Sequence, residues 1–438
     1  MRVGIFGSYN QGSIGDYAIL AGIIKQFLQT DPETQFVVFA FDPQTAHDLI
    51  HISSAVRVVG ASPTLRRKPR TAGPRSSVDD PGSPEDNSGQ LSMYLRRVLK
   101  PGMRLPSPIK TVGRNVLIAL ALRYWQRAAS DIRSVDLMII GGGNLVMDLY
   151  PRWPIYPLMY AVVARLVGTP VVFYGVGAGP IRTLRGRLYL ACACRLARLL
   201  TFRDQESLDL VRKKLCVPER KTVLAADPAL HLQAPSKKME DMTTIGITLV
   251  PYFSPDYWPN ADPKLYRRYS CAGTTMLRLL SERDHTSLSL LATNYPHDMK
   301  TAREVARRAG LLHSPNLLLV DEKLSVADIL DAIAACDIIV GTRLHSLVLA
   351  VAAGVPFVAI SYQPKVASFA RRCGMEEYLL DISDFIDHPG KVADLVEKSL
   401  ASHHKVVSTL AEAVKDLRQD ARQGHMRVLE ILGNGCAE

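Results

Sequence analysis

The alternation of short apolar runs with helix-like segments constrains the fold of this chain more than any other feature. The sequence opens with an apolar run from Val3 to Phe6, a loop rich in Gly, Ser and Asn, apolar residues at helical spacing from about Asp16, and a second apolar run, QFVVFAF. Units of this β-α-β kind build parallel sheets, because the crossover helix returns the chain to start the next strand in the same direction.

The alternation occurs in two series. VDLMII, PVVFYGVG and LLTF continue the first, and IGITLV, LSLLAT, NLLLV, CDIIV and PFVAI form a second after the polar stretch LQAPSKKMEDMTT. A chain of 438 residues also exceeds what one ordinary hydrophobic core holds together. We therefore predict an α/β protein with two doubly wound Rossmann-like domains, residues 1–236 and 237–438, that face each other across a cleft.

Most of the positive charge of the chain lies in one segment. The formal net charge is +11, and residues 61–135 hold 14 Lys and Arg against 5 Asp and Glu, a difference of +9. Residues 61–90 have few apolar side chains and many Pro, Gly and Ser, which predicts disorder. The basic sequence that follows also contains Leu, Tyr and Trp. It fits a helical pair on an anionic membrane surface or a helical insertion packed on the first domain, so residues 61–134 are an insertion with both alternatives open.

Composition and the missing motifs restrict compartment and ligands. No apolar run is long enough to span a bilayer, the first residues do not form a signal peptide, and seven cysteines without a CxxC pair fit a reducing compartment. We expect a cytoplasmic protein, with peripheral contact at the inner face of the membrane as an alternative. Nucleic acid is not an expected partner, because no nucleic-acid-reading motif accompanies the basic residues. We expect no metal and no bound cofactor.

Three cationic residues stand at the ends of two apolar runs near the C-terminus. In VGTRLHSLVLAVAAGVPFVAISYQPK, Arg343 and His345 follow one predicted strand and Lys365 follows the next. Because the carboxyl ends of parallel strands share one edge, neighbouring strands would bring the three residues together. A helix starting near Leu344 would add free N–H groups, and such a set suits a small ligand with more than one negative charge. The alternative for each residue alone is an ion pair, a cap or a core position.

Arg203 and three glycine-rich loops extend the candidate site. Arg203 follows LLTF and would enter the cleft from the first domain, or would form an ion pair with a nearby acid, while Asp204 is placed to cap the next helix. The loops GSYNQGSIGD, GGGNL and GVGAGP fit close approach of the backbone to a sugar or phosphate. The candidate residues in these loops are Asn10, Gly12, Gly142, Gly143, Asn144 and Gly177.

Several of these stretches together resemble the motifs of polysaccharide pyruvyl transferases. In order they are NQGSIGDYAIL, DLMIIGGGNL, FYGVGAGP, TFRDQES, DPAL and GTRLHSLVLAVAAGVPFVAISYQPK. The resemblance covers roughly residues 1–60 and 135–382, whereas residues 61–134 depart from the family pattern. It implies a glycosyltransferase-B-like fold and transfer of the pyruvyl group of phosphoenolpyruvate to a sugar of an exopolysaccharide or cell-wall polymer precursor, as a ketal. The first domain would face the acceptor, and the second would hold most of the donor site.

The same resemblance implies roles for individual residues. Arg203 and Lys365 would bind phosphoenolpyruvate, with Arg343 nearby to assist or brace the site. His345 would act as general acid, and Asp16 is a candidate base for the sugar hydroxyls. The donor is a substrate in this scheme.

Two other functions stay open at this stage. A nucleotide-sugar-dependent glycosyltransferase could use the same fold and the same Arg and His to bind a diphosphate. A membrane-surface adaptor in polysaccharide assembly would depend on residues 61–134. The acceptor could be soluble or lipid-linked under either enzymatic hypothesis.

Overall fold

Two separate parallel β-sheets organise the chain. The structure is a computed structural model, and it describes residues 1–9, 12–50, 55–61, 121–234, 242–258 and 260–433. The first sheet has seven strands in the order β3-β2-β1-β4-β5-β6-β7, and the second has six in the order β10-β9-β8-β11-β12-β13. All of these strand pairings are parallel. The predicted pair of doubly wound α/β units is confirmed.

Both sheets are built from short strands. The strands of the first sheet are β1 (Arg2–Phe6), β2 (Gln35–Ala40), β3 (Val56–Gly60), β4 (Leu137–Gly141), β5 (Val171–Val176), β6 (Leu199–Phe202) and β7 (Thr222–Leu224). Those of the second sheet are β8 (Thr243–Thr248), β9 (Thr286–Leu291), β10 (Leu317–Leu319), β11 (Ile338–Gly341), β12 (Phe357–Ser361) and β13 (Leu379–Asp381).

Helices cover both faces of each sheet. In the first half of the chain they are α1 (Ile14–Thr30), α2 (Pro43–Ile50), α3 (121–133), α4 (Ile155–Leu166), α5 (Leu184–Leu196) and α6 (Gln205–Leu215). In the second half they are α7 (Pro263–Ser281), α8 (His297–Ala309), α9 (Val326–Ala334), α10 (Leu344–Ala353), α11 (Pro364–Arg372), α12 (Ile382–Asp387), α13 (Gly390–Ala401) and α14 (His403–Gly433). A strand that is buried on both faces has a continuous apolar sequence. Strand β4 is an example, because all five of its residues are buried.

The strand order brings the three C-terminal cations to one edge. β11 and β12 are adjacent, with Val340 opposite Val358, so the prediction that these strands are neighbours is confirmed. The segments that leave their carboxyl ends carry Arg343, His345 and Lys365, and helix α10 begins at Leu344 as expected. Asp204 caps α6, because its Oδ1 accepts the N–H of Ser207 at 2.7 Å.

The first glycine-rich loop joins the two lobes. The N–H of Ile14 donates to the carbonyl oxygen of Thr293 at 3.0 Å, and the N–H of Tyr295 donates to that of Gly12 at 3.0 Å. Gly12 has φ +99°, and a Cβ there would lie 2.3 Å from the Tyr295 carbonyl oxygen, so this close pairing requires glycine. Helix α1 begins at Ile14, two residues before the predicted start at about Asp16, and Ser13 is its N-cap residue.

The last helix returns to the first lobe. The His425 ring on α14 packs edge-on against Phe27 at a centroid distance of 4.6 Å, and its Nε2 lies 3.2 Å from the Thr30 hydroxyl. Arg418 on the same helix donates to the carbonyl oxygens of Leu230 and Ala352, one in each lobe, at 2.9 and 3.1 Å. Helix α14 therefore forms a second connection between the lobes.

Several predictions fall partly or wholly outside the described residues. The domain boundary after residue 236 lies there, as does most of the insertion at 61–134, and so does Asn10. Among the residues that are described, no helix combines the length and the apolar character needed to cross a membrane.

Candidate active site

A cleft of about 420 Å³ lies between the carboxyl edges of the two sheets. The first lobe contributes Asn144, Gly177 and Arg203 to its walls, and the second contributes Tyr257, Arg343 and Lys365. The position agrees with the rule that doubly wound sheets bind ligands beyond the carboxyl ends of their strands.

The two lobes meet in a contact between Arg203 and His345. Nη1 of Arg203 lies 2.9 Å from Nε2 of His345 and 2.7 Å from Oδ2 of Asp227. A guanidinium only donates hydrogen bonds, so Nε2 must accept and carries no proton in this arrangement. Asp227 Oδ2 is also 3.9 Å from the same imidazole nitrogen. Arg203 therefore forms the ion pair that was one alternative for it, and it also reaches across the cleft.

His345 is a neutral imidazole in this structure. Burial, followed by the positive charges of Arg203 and Lys365, lowers its pKa well below the ordinary value for histidine. The ring lies against the start of α1, where a Cβ on Gly15 would come within 2.0 Å of Nδ1. Glycine at position 15 thus leaves the space that the imidazole occupies.

Arg203 keeps one donor free for a ligand. Its Nε is buried and has no hydrogen-bond partner in the part of the chain that the structure describes. A Cβ on Gly177 would lie 3.6 Å from this Nε, so the absence of a side chain at Gly177 leaves space in front of it. A buried donor without a partner is costly, and an anion in the cleft would satisfy it.

Arg343 is held by an acid and does not point freely into the cleft. Its Nε donates to both carboxylate oxygens of Asp298 at 2.9 Å, and its Nη2 donates to Oδ1 at 2.6 Å. Asp298 is completely buried, and the guanidinium lies 5.3 Å from the centre of the Tyr257 ring. This geometry suits a residue that braces the cleft wall and adds positive potential.

Asp16 lies within the electrostatic field of the cationic cluster. Burial raises its pKa to about 6, while a hydrogen bond from Ser13 and the charges of Arg203 and Lys365 oppose the rise. The carboxylate packs against the second glycine loop, where a Cβ on Gly143 would lie 2.2 Å from Oδ1. Asp16 is ionised above that pH and can accept a proton.

Lys365 lines the cleft from the first turn of α11. Burial and, to a smaller extent, the charge of Arg203 lower its pKa to about 8, against the opposing charges of Asp204 and Asp16. The side chain is therefore charged near neutral pH but sensitive to a moderate rise in pH.

The remaining glycine-loop candidates shape the first-lobe wall. Asn144 Nδ2 donates to the Gly179 carbonyl oxygen, and the N–H of Gly177 donates to that of Gly143 at 3.0 Å. Gly142, at φ +90°, packs against the ring of Tyr9. Of these residues, Asn144 and Gly177 face the cleft, whereas Gly12 belongs to the seam between the lobes.

No role was predicted for Asp227 and Asp298, the acids that pair with Arg203 and Arg343. Asp227 stands in DPAL, where it caps the short 3-10 helix Pro228–His231 by accepting the N–H of Ala229 at 3.0 Å. Asp298 lies in the first turn of α8, after β9. Both positions follow strand ends on the cleft edge, as the cations do, but β7 has only three residues and a position on this edge does not show which arginine an acid will hold. The described residues contain no group of three or more His, Cys, Asp and Glu placed to hold a metal ion.

Comparison with known proteins shows a family for this chain. A family model described as polysaccharide pyruvyl transferase matches residues 14–364. The chain belongs to the polysaccharide pyruvyl transferase family. It is therefore a transferase, and the matched span contains Asp16, Arg203, Arg343 and His345 and ends one residue before Lys365.

Related proteins support the family and the fold separately. The amylovoran biosynthesis protein AmsJ of Erwinia amylovora is 24% identical over 99% of this chain and 100% of its own length. Among solved structures, MnaA of S. aureus with UDP is 12% identical, covers 100% of this chain and 98% of its own, and has a TM-score of 0.55. The trehalose-6-phosphate synthase OtsA is 12% identical, covers 99% of each chain, and has a TM-score of 0.54. These structures confirm the glycosyltransferase-B-like fold.

The buried pair of Arg343 and Asp298 should matter for stability. Asp298→Asn leaves a buried guanidinium without its counter-charge, and we expect the free energy of unfolding to fall by about 3 kcal/mol or more. Asp387→Asn is a matched control, because Asp387 pairs with Arg268 at the surface, where both side chains are more than half exposed. Urea denaturation of the two variants should separate them clearly. Equal loss of stability would contradict a bracing role for the buried pair.

Proposed function

We propose that this transferase takes the pyruvyl group of phosphoenolpyruvate and forms a ketal on a sugar. The observation that carries the proposal is the contact between Arg203 of one lobe and His345 of the other, 2.9 Å apart beside the cleft. This contact joins an anion-binding group of one lobe to a proton-transfer group of the other.

The charges of the cleft fit a small donor with several negative charges. Phosphoenolpyruvate carries a carboxylate and a phosphate. The buried Nε of Arg203 has no hydrogen-bond partner among the described residues, and Lys365 lines the same cleft. A planar guanidinium suits a carboxylate, and an ammonium suits a phosphate as a point charge. Arg343, held by Asp298, adds positive potential from the second lobe.

Donor binding would prepare His345 as the general acid. In the free protein the imidazole accepts a hydrogen bond from Arg203 and carries no proton at Nε2. An anionic donor attracts the guanidinium and adds negative charge next to the ring, and both effects raise the pKa of His345. The imidazole would therefore take up a proton as the donor binds.

The reaction then balances without an oxidant or reductant. His345 gives a proton to the methylene carbon, which becomes a methyl group, and the central carbon becomes electrophilic. A sugar hydroxyl adds its oxygen to that carbon while Asp16 accepts its proton. The bond between this carbon and the phosphate oxygen breaks, and inorganic phosphate leaves. A second sugar hydroxyl then bonds to the same carbon and closes the ketal. Each of the two hydroxyls loses one proton. One of these protons returns to His345, and the other leaves with phosphate.

The acceptor is proposed from the family and from one relative. AmsJ is described as an amylovoran biosynthesis protein. We infer that the acceptor here is a sugar of an exopolysaccharide or cell-wall polymer precursor, bound on the side of the first lobe. The scheme uses phosphoenolpyruvate as substrate and no further bound cofactor.

Donor choice and the role of His345 can be tested together. Phosphoenolpyruvate should raise the melting temperature of the protein, and a nucleotide sugar should not. With a soluble sugar diol, phosphate release and a ketal product in mass spectrometry should accompany donor consumption. His345→Gln should bind the donor but lose transfer by about a hundredfold or more. Stabilisation by the nucleotide sugar alone, or unimpaired transfer by His345→Gln, would overturn the proposal.

The lowered pKa of Lys365 predicts how donor binding depends on pH. The side chain is charged below about pH 8 and loses its proton as pH rises through that value, so donor affinity should fall more steeply above it. Lys365→Met should weaken binding about tenfold or more near neutral pH, whereas Lys391→Met, at an exposed position, should not. Arginine at this position stays charged, so donor affinity of Lys365→Arg should not show the steeper fall above about pH 8. A pH dependence unchanged in Lys365→Arg would exclude Lys365 as the donor-binding cation.

A further inference from the structure

The outer face of the first lobe exposes large apolar side chains on helix α5. Leu184 is 83% exposed and Leu188 is 60% exposed. They are four residues apart on one helix, so they lie next to each other on the same face. Single exposed apolar residues are normal on a protein surface, whereas adjoining ones form the kind of patch that marks interaction sites when it is extended by further apolar residues.

Arginines surround these leucines, and acids are absent from the sequence around them. No Asp or Glu occurs between Asp148 and Asp204. Asp148 is itself buried, and its carboxylate accepts the N–H groups of Arg182 and Thr183 at 2.8 and 2.6 Å. The exposed cations in and beside the helix are Arg182, Arg185, Arg187, Arg195 and Arg198. None of them forms an ion pair with another described residue of the chain.

The first turns of α5 combine an exposed apolar pair with flanking cations, a combination that helices in a lipid interface also use. At about 100° per residue, Leu184 and Leu188 occupy the centre of the exposed arc, and Arg185 and Arg187 lie on either side of it. Interfacial helices insert an apolar stripe while flanking cations reach anionic headgroups.

The same surface continues to the mouth of the cleft. Helices α4 and α5 both begin at the carboxyl edge of the first sheet, which is the edge that carries the cleft. Near it, Tyr150 is 54% exposed and Ile155 is 44% exposed, and Tyr150 also lines the cleft. Apolar side chains therefore extend from the cleft mouth onto the arginine-flanked face of α5.

We propose that this docking surface, formed by Tyr150, Ile155, Leu184 and Leu188 with the arginines of residues 182–198, lies on an anionic lipid membrane. The cleft mouth then opens at the headgroups. The inference about the acceptor rests on the proposed function. In this orientation the acceptor sugar is carried on a lipid and reaches the cleft from the membrane surface.

The charge pattern favours lipid over other occupants. A symmetric contact with a second copy would bring the same unpaired arginines face to face, which like-charge repulsion opposes. A lipid surface with negative headgroups satisfies the arginines and the leucines at once.

Vesicle sedimentation with the full chain tests the docking surface. Wild type should bind vesicles of phosphatidylcholine with about one third phosphatidylglycerol, and should bind pure phosphatidylcholine far more weakly. Raising salt from about 0.1 M to about 1 M should weaken binding, because it shortens the Debye length. The double variant Leu184→Ser, Leu188→Ser should lower the partition coefficient at least about tenfold. Arg185→Gln with Arg187→Gln should lower it several-fold on anionic vesicles.

Matched controls separate this surface from other exposed residues. Leu318→Ser removes a leucine that is 62% exposed on the second lobe, and Arg307→Gln removes an exposed arginine there. Neither should change vesicle binding. Equal losses in the control and test variants, or no binding by wild type, would overturn the proposal.

Two further measurements exclude other occupants of the surface. Sedimentation velocity that shows a wild-type dimer dissociated by the leucine variant would assign the surface to a second copy, and the proposal would fail. A large fall in the melting temperature of the leucine variant would show that another segment of this chain covers the surface, which also contradicts it. The double variant Leu184→Ser, Leu188→Ser should keep full transfer to a soluble sugar diol. If wild type itself shows no such transfer, the proposed function fails, while vesicle binding still decides the docking surface.

Discussion

The structure depends on one contact, in which Arg203 from the first lobe meets His345 from the second. The contact needs Asp227 to balance the guanidinium at 2.7 Å and needs glycine at position 15 to make room for the ring. It also removes the proton from Nε2, because a guanidinium can only donate. In the proposed function Arg203 binds the anionic donor and His345 transfers the proton, and donor binding would change the protonation state of Nε2.

The sequence predicted the parts of the site that follow from local rules. Alternating strands and helices defined two parallel sheets, and the shared carboxyl edge brought Arg343, His345 and Lys365 to one side. The counter-ions could not be anticipated in the same way. Asp227 follows β7, a strand of three residues that is too short to show in a periodicity, and the pairing of Arg343 with Asp298 depends on where α8 packs. The low pKa of His345 arises from burial, which no local pattern reports.

In the proposed function the two lobes contribute different groups to the site. The second lobe supplies His345, Lys365 and the braced Arg343, and the first supplies Arg203, Asp16 and the glycine-lined wall. The loop at Gly12 and helix α14 both join the two lobes. A membrane-facing first lobe would place its acceptor side where a lipid-linked sugar is found.

Proton uptake on donor binding tests the central claim most directly. Titration calorimetry with phosphoenolpyruvate near neutral pH, in two buffers with different ionisation enthalpies, measures the number of protons taken up per donor bound. The account predicts net uptake by wild type and by Asp16→Asn, and a clear loss of that uptake in His345→Gln. Binding with the same proton count in wild type and His345→Gln would show that the donor does not act on the imidazole at the junction of the two lobes.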